Sequence, residues 1–198
     1  INLAAEHIEF APATEHNRIY DWAPHIKKLG LTNEISTIIG MELTGAGAGS
    51  HFNCFPLTPK TFTQNHGAPV HQNDPRLNAI TLRDWGGPRA DRWMHIDHPD
   101  MIEKFIDRNA DGRPDGGYAG FKNLIDGLET QNYDTSQILS GVPYRIQKRG
   151  GREYVRQNRE FIWLQLLNRG HGYHAIAVCD AHSVYGNGVG GWRTYVKS

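Results

Sequence analysis

The chain has 198 residues, of which 38% are hydrophobic, and its mean hydropathy is -0.57. These values fit one domain over residues 1–198 with a sizeable core, and no apolar run approaches the roughly 18 residues that a membrane span needs. Lysine plus arginine and aspartate plus glutamate number 21 each, with a pI near 7.3. This balance argues against a broad nucleic-acid-binding surface.

Short elements are predicted in the first 57 residues. Residues 1–7 resemble the last turns of a helix, and because no initiator methionine is present we expect a further segment upstream. Apolar residues at helical intervals, with Gly30 as the stop, predict a helix over 20–29. Strands are predicted at 8–14, 35–39 and 40–44, and residues 51–57 are predicted to pair with the 40–44 strand as a hairpin that Pro56 ends.

The middle of the chain is dominated by a long polar segment, residues 58–92, rich in Pro, Gly and Asn. Its length in a compact domain favours a functional loop, and one short helix is predicted within it at 77–82. A strand at 93–96 and a helix start at 101–106 follow.

A calcium-loop pattern begins at residue 107. Tyr118 stands where such a loop has its bidentate Glu, so a calcium site is weighed against an Asx-turn loop held by its own side chains. The matching oxygen-bearing residues are Asp107, Asn109, Asp111 and Asp115.

Strands and helices alternate again towards the end of the chain. Residues 121–129 predict a helix passing into a strand, and 152–168 predict the longest helix, ended by Gly170. A buried strand is predicted over 175–182, and a closing strand over 192–196. The alternation predicts an α/β fold with a largely parallel sheet. Cys54 and Cys179 are predicted to be buried thiols.

The 175–182 segment ends in Asp180 and His182, which lie on one side of a strand and can grip one metal ion or two adjacent ions. Histidine is frequent, at 11 of 198 residues, and any single one is more often a surface residue than a ligand. Six residues nevertheless share a position at or after a strand end, where parallel α/β folds gather their sites. They are His16, Glu42, His51, His98, Asp180 and His182.

Nitrogen and oxygen ligands without thiolate suit Zn, Mn or Fe. Glu42 could bridge two ions, and paired ions activate water, so the predicted chemistry is hydrolysis. Arg193 is predicted either to bind an anionic group through its guanidinium or to form a surface salt bridge. His95, His171 and His174 are assigned supporting or structural roles.

An ordered set of motifs resembles the PHP (polymerase and histidinol phosphatase) superfamily, and within it the CehA/McbA-like metallohydrolases. The resemblance spans about residues 3 to 196. The motifs are Thr-Glu-His-Asn at 14–17, Gly-Met-Glu-Leu-Thr at 40–44, His-Phe-Asn-Cys-Phe-Pro-Leu at 51–57, Asp-His-Pro at 97–99, Cys-Asp-Ala-His at 179–182 and Arg-Thr-Tyr at 193–195.

The resemblance implies a distorted (β/α)7, TIM-like barrel and a phosphoesterase-like hydrolase with two or three zinc, manganese or iron ions. It implies that Glu42 and Asp180 bind the first ion and that Glu42 bridges to a second, held by His51 and His98. His16 and His182 would bind a third ion. Its substrate would be a small molecule, an anionic ester. The charge balance and the lack of a long apolar run predict no nucleic-acid or membrane partner.

Two departures from the family pattern lead to alternatives. Thr-Glu-His replaces the family's Thr-Asp-His, and its opening His-x-His strand is not within this sequence. A non-catalytic binding or accessory domain with an incomplete metal site is therefore one alternative. A secreted, calcium-stabilised carbohydrate-active or adhesive module, based on residues 107–115, is another. The sequence assigns no localisation and no oligomeric state.

Overall fold

The computed structural model describes residues 1–45, 51–86, 91–97, 121–130, 144–157, 159–168, 170–183 and 188–197. The helices found there are α1 (Asn2–Ala5), α2 (Ala23–Lys28), α3 (Pro75–Arg83) and α4 (Arg159–Asn168), with short 3₁₀ turns at Gln64–Gly67 and Phe121–Leu124. The strands are β1 (Met41–Leu43), β2 (His51–Phe55), β3 (Trp93–Asp97), β4 (Gly127–Glu129), β5 (Tyr144–Arg149), β6 (Arg152–Gln157) and β7 (His174–Ile176).

Five strands form one mixed sheet in the order β1-β2-β3-β4-β7, and β5 pairs with β6 in a separate hairpin. The first two pairings are antiparallel and the last two are parallel. The expected (β/α)7 barrel is therefore wrong, because such a barrel needs parallel strands joined by helical crossovers. Here β1 turns directly into an antiparallel partner, and the sheet stays open with β1 and β7 at its edges. The sheet is parallel only from β3 onwards.

The two faces of the sheet differ in polarity because side chains alternate along each strand. One face carries the hydrophobic core. Its members include Met41, Leu43, Phe52, Cys54, Met94, Ile96 and Leu128, packed with Ala79 and Leu82 of α3 and Leu166 of α4. The opposite face carries buried polar side chains on four neighbouring strands: Glu42, Asn53, His95, Asp97 and Glu129. A buried polar face of this kind needs internal partners, and its Glu42 belongs to the site described below.

The predicted hairpin of the 40–44 and 51–57 segments is confirmed, with Glu42 opposite Asn53 in its register. The strands predicted at 8–14 and 35–39 are reduced to isolated bridges. In these bridges the segment before residue 17 runs parallel to the β1 edge, with Phe10 beside Ser36 and His16 beside Glu42.

The helix predicted at 77–82 is confirmed and begins two residues earlier. Asp74 caps it by accepting the Arg76 backbone N–H at 2.8 Å, and a proline occupies its first turn. The Arg92 guanidinium binds the carbonyls of Leu82 and Arg83 at the other end. The helix predicted at 20–29 is shorter, spanning α2 alone, and Gly30 has the positive φ of +72° that suits a helix stop.

The long helix predicted over 152–168 is wrong in its first half. Residues 152–157 form β6, which pairs with β5 across Gly150 and Gly151, and only α4 is helical. The predicted strand at 175–182 is present only as β7, and residues 192–196 form no strand.

Several expectations lie outside the described residues: His98, the helix at 101–106 and the calcium loop at 107–115. In the part of the chain that is described, no helix is both long and apolar enough to cross a membrane.

Candidate metal centre

His16 is held beside β1 by backbone bonds on either side of it. The Glu42 N–H donates to the Glu15 carbonyl at 3.0 Å, and the Asn17 N–H donates to the Glu42 carbonyl at 2.7 Å. Asn17 adopts φ +52°, a conformation that asparagine tolerates, and its side-chain amide makes two 2.9 Å bonds with the Thr44 backbone. These two hydrogen bonds fix the turn after His16 against the end of β1.

The His16 imidazole joins the two edges of the sheet. Its Nδ1 lies 3.0 Å from Thr44 Oγ1 and 3.5 Å from Glu42 Oε1. Its Nε2 lies 3.3 Å from Nε2 of His182, which follows β7 at the opposite edge. The two rings stack with centroids 5.5 Å apart. The structure thus brings together three of the predicted ligands: His16, Glu42 and His182.

His182 is oriented by Asp180, and this contact places a proton on one of its two ring nitrogens. Nδ1 of His182 lies 2.9 Å from the Asp180 carbonyl oxygen and 3.5 Å from its carboxylate. Asp180 has φ +50°, a left-handed conformation that turns the backbone so that its carbonyl meets the ring. A carbonyl oxygen only accepts, so Nδ1 carries the proton, and Nε2 of the neutral ring presents a lone pair to His16.

His51 is oriented in the same way on the other side of Glu42. Its Nε2 donates to the Gly45 carbonyl at 3.2 Å, so Nδ1 of the neutral ring is an acceptor. This Nδ1 faces Glu42 Oε1 at 3.1 Å, and carboxylate oxygens are acceptors as well. Two acceptor atoms therefore face each other at His51 and Glu42, whereas His16 Nε2 can donate a proton to the lone pair on His182 Nε2.

The His51–Glu42 pair needs a positive charge on or between its atoms, which a proton or a metal ion can supply, whereas a neutral N–H···N hydrogen bond satisfies the His16–His182 contact. Neighbouring ligands bound about 2.1 Å from one metal ion lie roughly 3.0–3.4 Å apart. The 3.1 and 3.3 Å separations fall in this range, which is also the range of ion pairs and hydrogen bonds. Among the described residues, however, no group of three or more His, Cys, Asp or Glu side chains is arranged to hold an ion.

The buried polar face contains residues that the sequence did not assign to the site. Asp97 is 5% exposed; its carboxylate accepts from Asn53 Nδ2 at 2.7 Å and lies 3.2 Å from His95 Nε2. The Trp93 indole N–H donates to His95 Nδ1 at 2.9 Å, which places the His95 proton on Nε2, facing Asp97. The alternation of side chains along residues 93–97 would have predicted this pair, because His95 and Asp97 project from one face of the strand.

Glu129 ends β4 on the same face and is 1% exposed. Glu42, Asp97 and Glu129 thus place three buried carboxylates on one side of one sheet. Burial of several acidic groups favours a compensating positive charge close by. In the sequence, each of these three residues is a carboxylate next to the apolar residues of a strand, and that pattern indicates a buried acidic group.

Arg193 binds protein groups in the structure. Its Nε donates to the Gly190 carbonyl at 2.8 Å and its Nη1 to the Glu6 carbonyl at 2.7 Å, while Nη2 lies 3.6 Å from the Glu6 carboxylate. It therefore ties the amino-terminal helix to the carboxyl-terminal segment. His174 begins β7, with its ring 5.5 Å from that of Trp93, and lies away from the cluster at the other end of the strand.

The two cysteines differ in their surroundings. Cys54 is fully buried in β2, and burial raises the pKa of its thiol to about 12. Cys179 is partly buried, and its Sγ bonds to the carbonyl and N–H of Trp192. The prediction of two buried thiols is thus confirmed for Cys54 and holds in part for Cys179.

No protein-family model, curated protein or solved structure matches this chain.

Proposed function

We propose that the chain is a metal-dependent hydrolase acting on anionic, phosphoester-like substrates, with its metal centre at the His16, Glu42, His51 and His182 cluster. The observation that supports it is a pair of histidine contacts, His51 Nδ1 to Glu42 Oε1 at 3.1 Å and His182 Nε2 to His16 Nε2 at 3.3 Å. In both, a backbone carbonyl holds the proton on the far nitrogen of a histidine, so the near nitrogen can bind a cation.

The chain's own residues have separable tasks in this proposal. Asp180 and Gly45 orient the imidazoles of His182 and His51 through their carbonyl oxygens. Glu42, 6% exposed, contributes a buried negative charge between His16 and His51. A bound divalent metal ion would supply hydroxide at neutral pH and neutralise charge on the substrate oxygens.

The resemblance to the PHP superfamily supports the reaction class, because its ordered motifs contain the same four residues. His98, the remaining histidine of that pattern, lies outside the described residues. Phosphoester hydrolysis is therefore proposed from the donor chemistry and from the motifs. The open sheet described above is not used as support for it.

Metal binding and turnover test the proposal together. We expect the metal-free chain to bind Zn²⁺ or Mn²⁺ in calorimetry and the loaded protein to hydrolyse bis-p-nitrophenyl phosphate or p-nitrophenyl phosphate. His16→Ala, His182→Ala and Glu42→Gln should each weaken metal binding by about tenfold or more, since each removes a donor.

His7→Asn is the matched control, because His7 is an exposed histidine in a left-handed conformation that asparagine also adopts. It should bind metal as the parent chain does. Absence of metal binding would contradict the proposal and show that protons alone occupy the two histidine contacts. Metal binding without turnover of either ester would instead favour the non-catalytic binding domain.

A further inference from the structure

His71 reaches the metal centre from the long polar segment. It is half-buried, between the 3₁₀ turn at Gln64–Gly67 and α3, and its imidazole lies directly against Gly45. A Cβ on Gly45 would overlap Nδ1 and Cγ of the ring and lie 2.8 Å from Cε1. Only glycine at position 45 therefore leaves room for this ring.

Gly45 is the backbone link between two members of the cluster. Its carbonyl oxygen accepts from His51 Nε2 at 3.2 Å, and it directly follows Thr44, whose Oγ1 lies 3.0 Å from His16 Nδ1. Asn17 pins this link at Thr44, through the Thr44 backbone. The His71 ring packs against the link one residue further on, at Gly45 itself.

We propose that His71 is a positioning residue for His51, acting through the Gly45 backbone. The ring holds the Gly45 carbonyl in place, and the carbonyl keeps the His51 proton on Nε2. The His51 Nδ1 lone pair then points to Glu42 at 3.1 Å. This deepens the proposed function, because His51 belongs to that metal centre. Partners that orient a metal-binding histidine typically change affinity by about 10- to 100-fold.

The test uses two single variants that remove the same contact from opposite sides. His71→Ala takes the ring away, and Gly45→Ala places a methyl group where the ring lies. The first readout needs no metal: ¹⁵N NMR of the His51 imidazole reports which nitrogen carries the proton. We expect Nε2 to carry a proton throughout in the parent chain, with or without a second proton on Nδ1, and to be only partly protonated in both variants.

The second readout is Zn²⁺ affinity, which should fall by about 10- to 100-fold in each single variant. The double variant Gly45→Ala/His71→Ala should bind no more weakly than His71→Ala, because the new methyl enters vacated space. His71→Phe, which keeps a flat ring, should recover most of the loss. Gly188→Ala is the control, since a Cβ there meets no atom of the described residues within 4 Å.

The two proposals fail differently. An unchanged His51 proton position in both His71→Ala and Gly45→Ala would overturn the positioning role and leave the metal centre intact. A shifted proton position in a chain that binds no Zn²⁺ would support the positioning role and contradict the hydrolase.

Discussion

Cys54 links burial to alkaline stability. The pKa of a cysteine thiol is ordinarily about 9.0, and burial raises the pKa of Cys54 to about 12 in the folded chain. Above pH 9 the unfolded thiol ionises while the folded thiol keeps its proton, so its contribution to stability is complete below pH 9 and is lost as pH rises towards 12. Burial also raises the pKa of Tyr173, which acts in the same direction.

We therefore expect the free energy of unfolding to fall between about pH 9 and about pH 12, and Cys54→Ala to flatten that fall. Urea denaturation at a series of pH values measures it. Cys179→Ala, at the more accessible thiol, serves as the control. Equal slopes in the parent chain and Cys54→Ala would contradict the assignment.

Single residues of the site were readable from the sequence where the chemistry was local. Glu42 stood out because a carboxylate in an apolar strand needs a partner, and His16 lies beside it. Asn53 and Asp97 were missed because their role depends on a hydrogen bond between β2 and β3, in which Asn53 Nδ2 donates to Asp97 Oδ2 at 2.7 Å. His71 was missed because only the backbone of Gly45 connects it to the site.

Between strands, Gly127 provides the space that the Trp93 indole fills. A Cβ at Gly127 would lie 2.8 Å from Trp93 Cζ2 and 3.0 Å from the His174 carbonyl oxygen. Gly127→Ala should therefore displace the indole from His95 and destabilise the chain by about 1–3 kcal/mol, the usual cost of overpacking. Urea unfolding measures the loss, and tryptophan fluorescence reports the moved ring.

Gly172 lines the same cleft as Trp93, and Gly172→Ala is therefore the matched control. Its Cβ would meet no atom within 4 Å in the part of the chain that the structure describes. It should change stability by less than about 0.5 kcal/mol. Similar losses in the two variants would show that the Trp93 packing is not the cause.

The elements predicted correctly are those specified by neighbouring residues. Asp74 and the following proline start α3, and Pro56 follows the second strand of the β1–β2 hairpin. The error at 152–157 has a local cause too. Gly150 and Gly151 have φ of +58° and +75°, as a tight β-hairpin turn requires, and this Gly-Gly signal outweighs the helical spacing of the apolar residues that follow.

Across the whole molecule, Arg193 fastens the amino-terminal helix to the end of the chain. Arg193→Ala removes two charge-assisted bonds to the backbone carbonyls of Gly190 and Glu6, and we expect a loss of about 1–3 kcal/mol in urea unfolding. Glu6→Gln keeps both carbonyls and removes only an exposed charge, so it should cost less than about 0.5 kcal/mol. Equal costs would show that the ion pair, rather than the carbonyl bonds, holds the helix.

Strand order was the property least accessible to sequence reasoning. Alternating strands and helices predicted parallel pairing throughout, and this holds for β3, β4 and β7. β1 and β2 pair as a hairpin instead, because a short connection favours an antiparallel partner, and β3 also pairs antiparallel with β2 after the long connection of residues 56–92. The motifs that predicted a barrel contain no information on such connections. The barrel prediction is therefore wrong at the β1–β2 hairpin, where the chain reverses direction.

The contact between His16 and His182 also has a consequence for folding. The two residues are 166 positions apart, so bringing them together confines most of the chain, and the entropic cost rises with the logarithm of that separation. The strands between them must be placed before the two imidazoles can meet. The His16–His182 contact is accordingly among the last to form, and an ion bound there, as proposed above, would prolong the life of the folded chain more than it would hasten its formation.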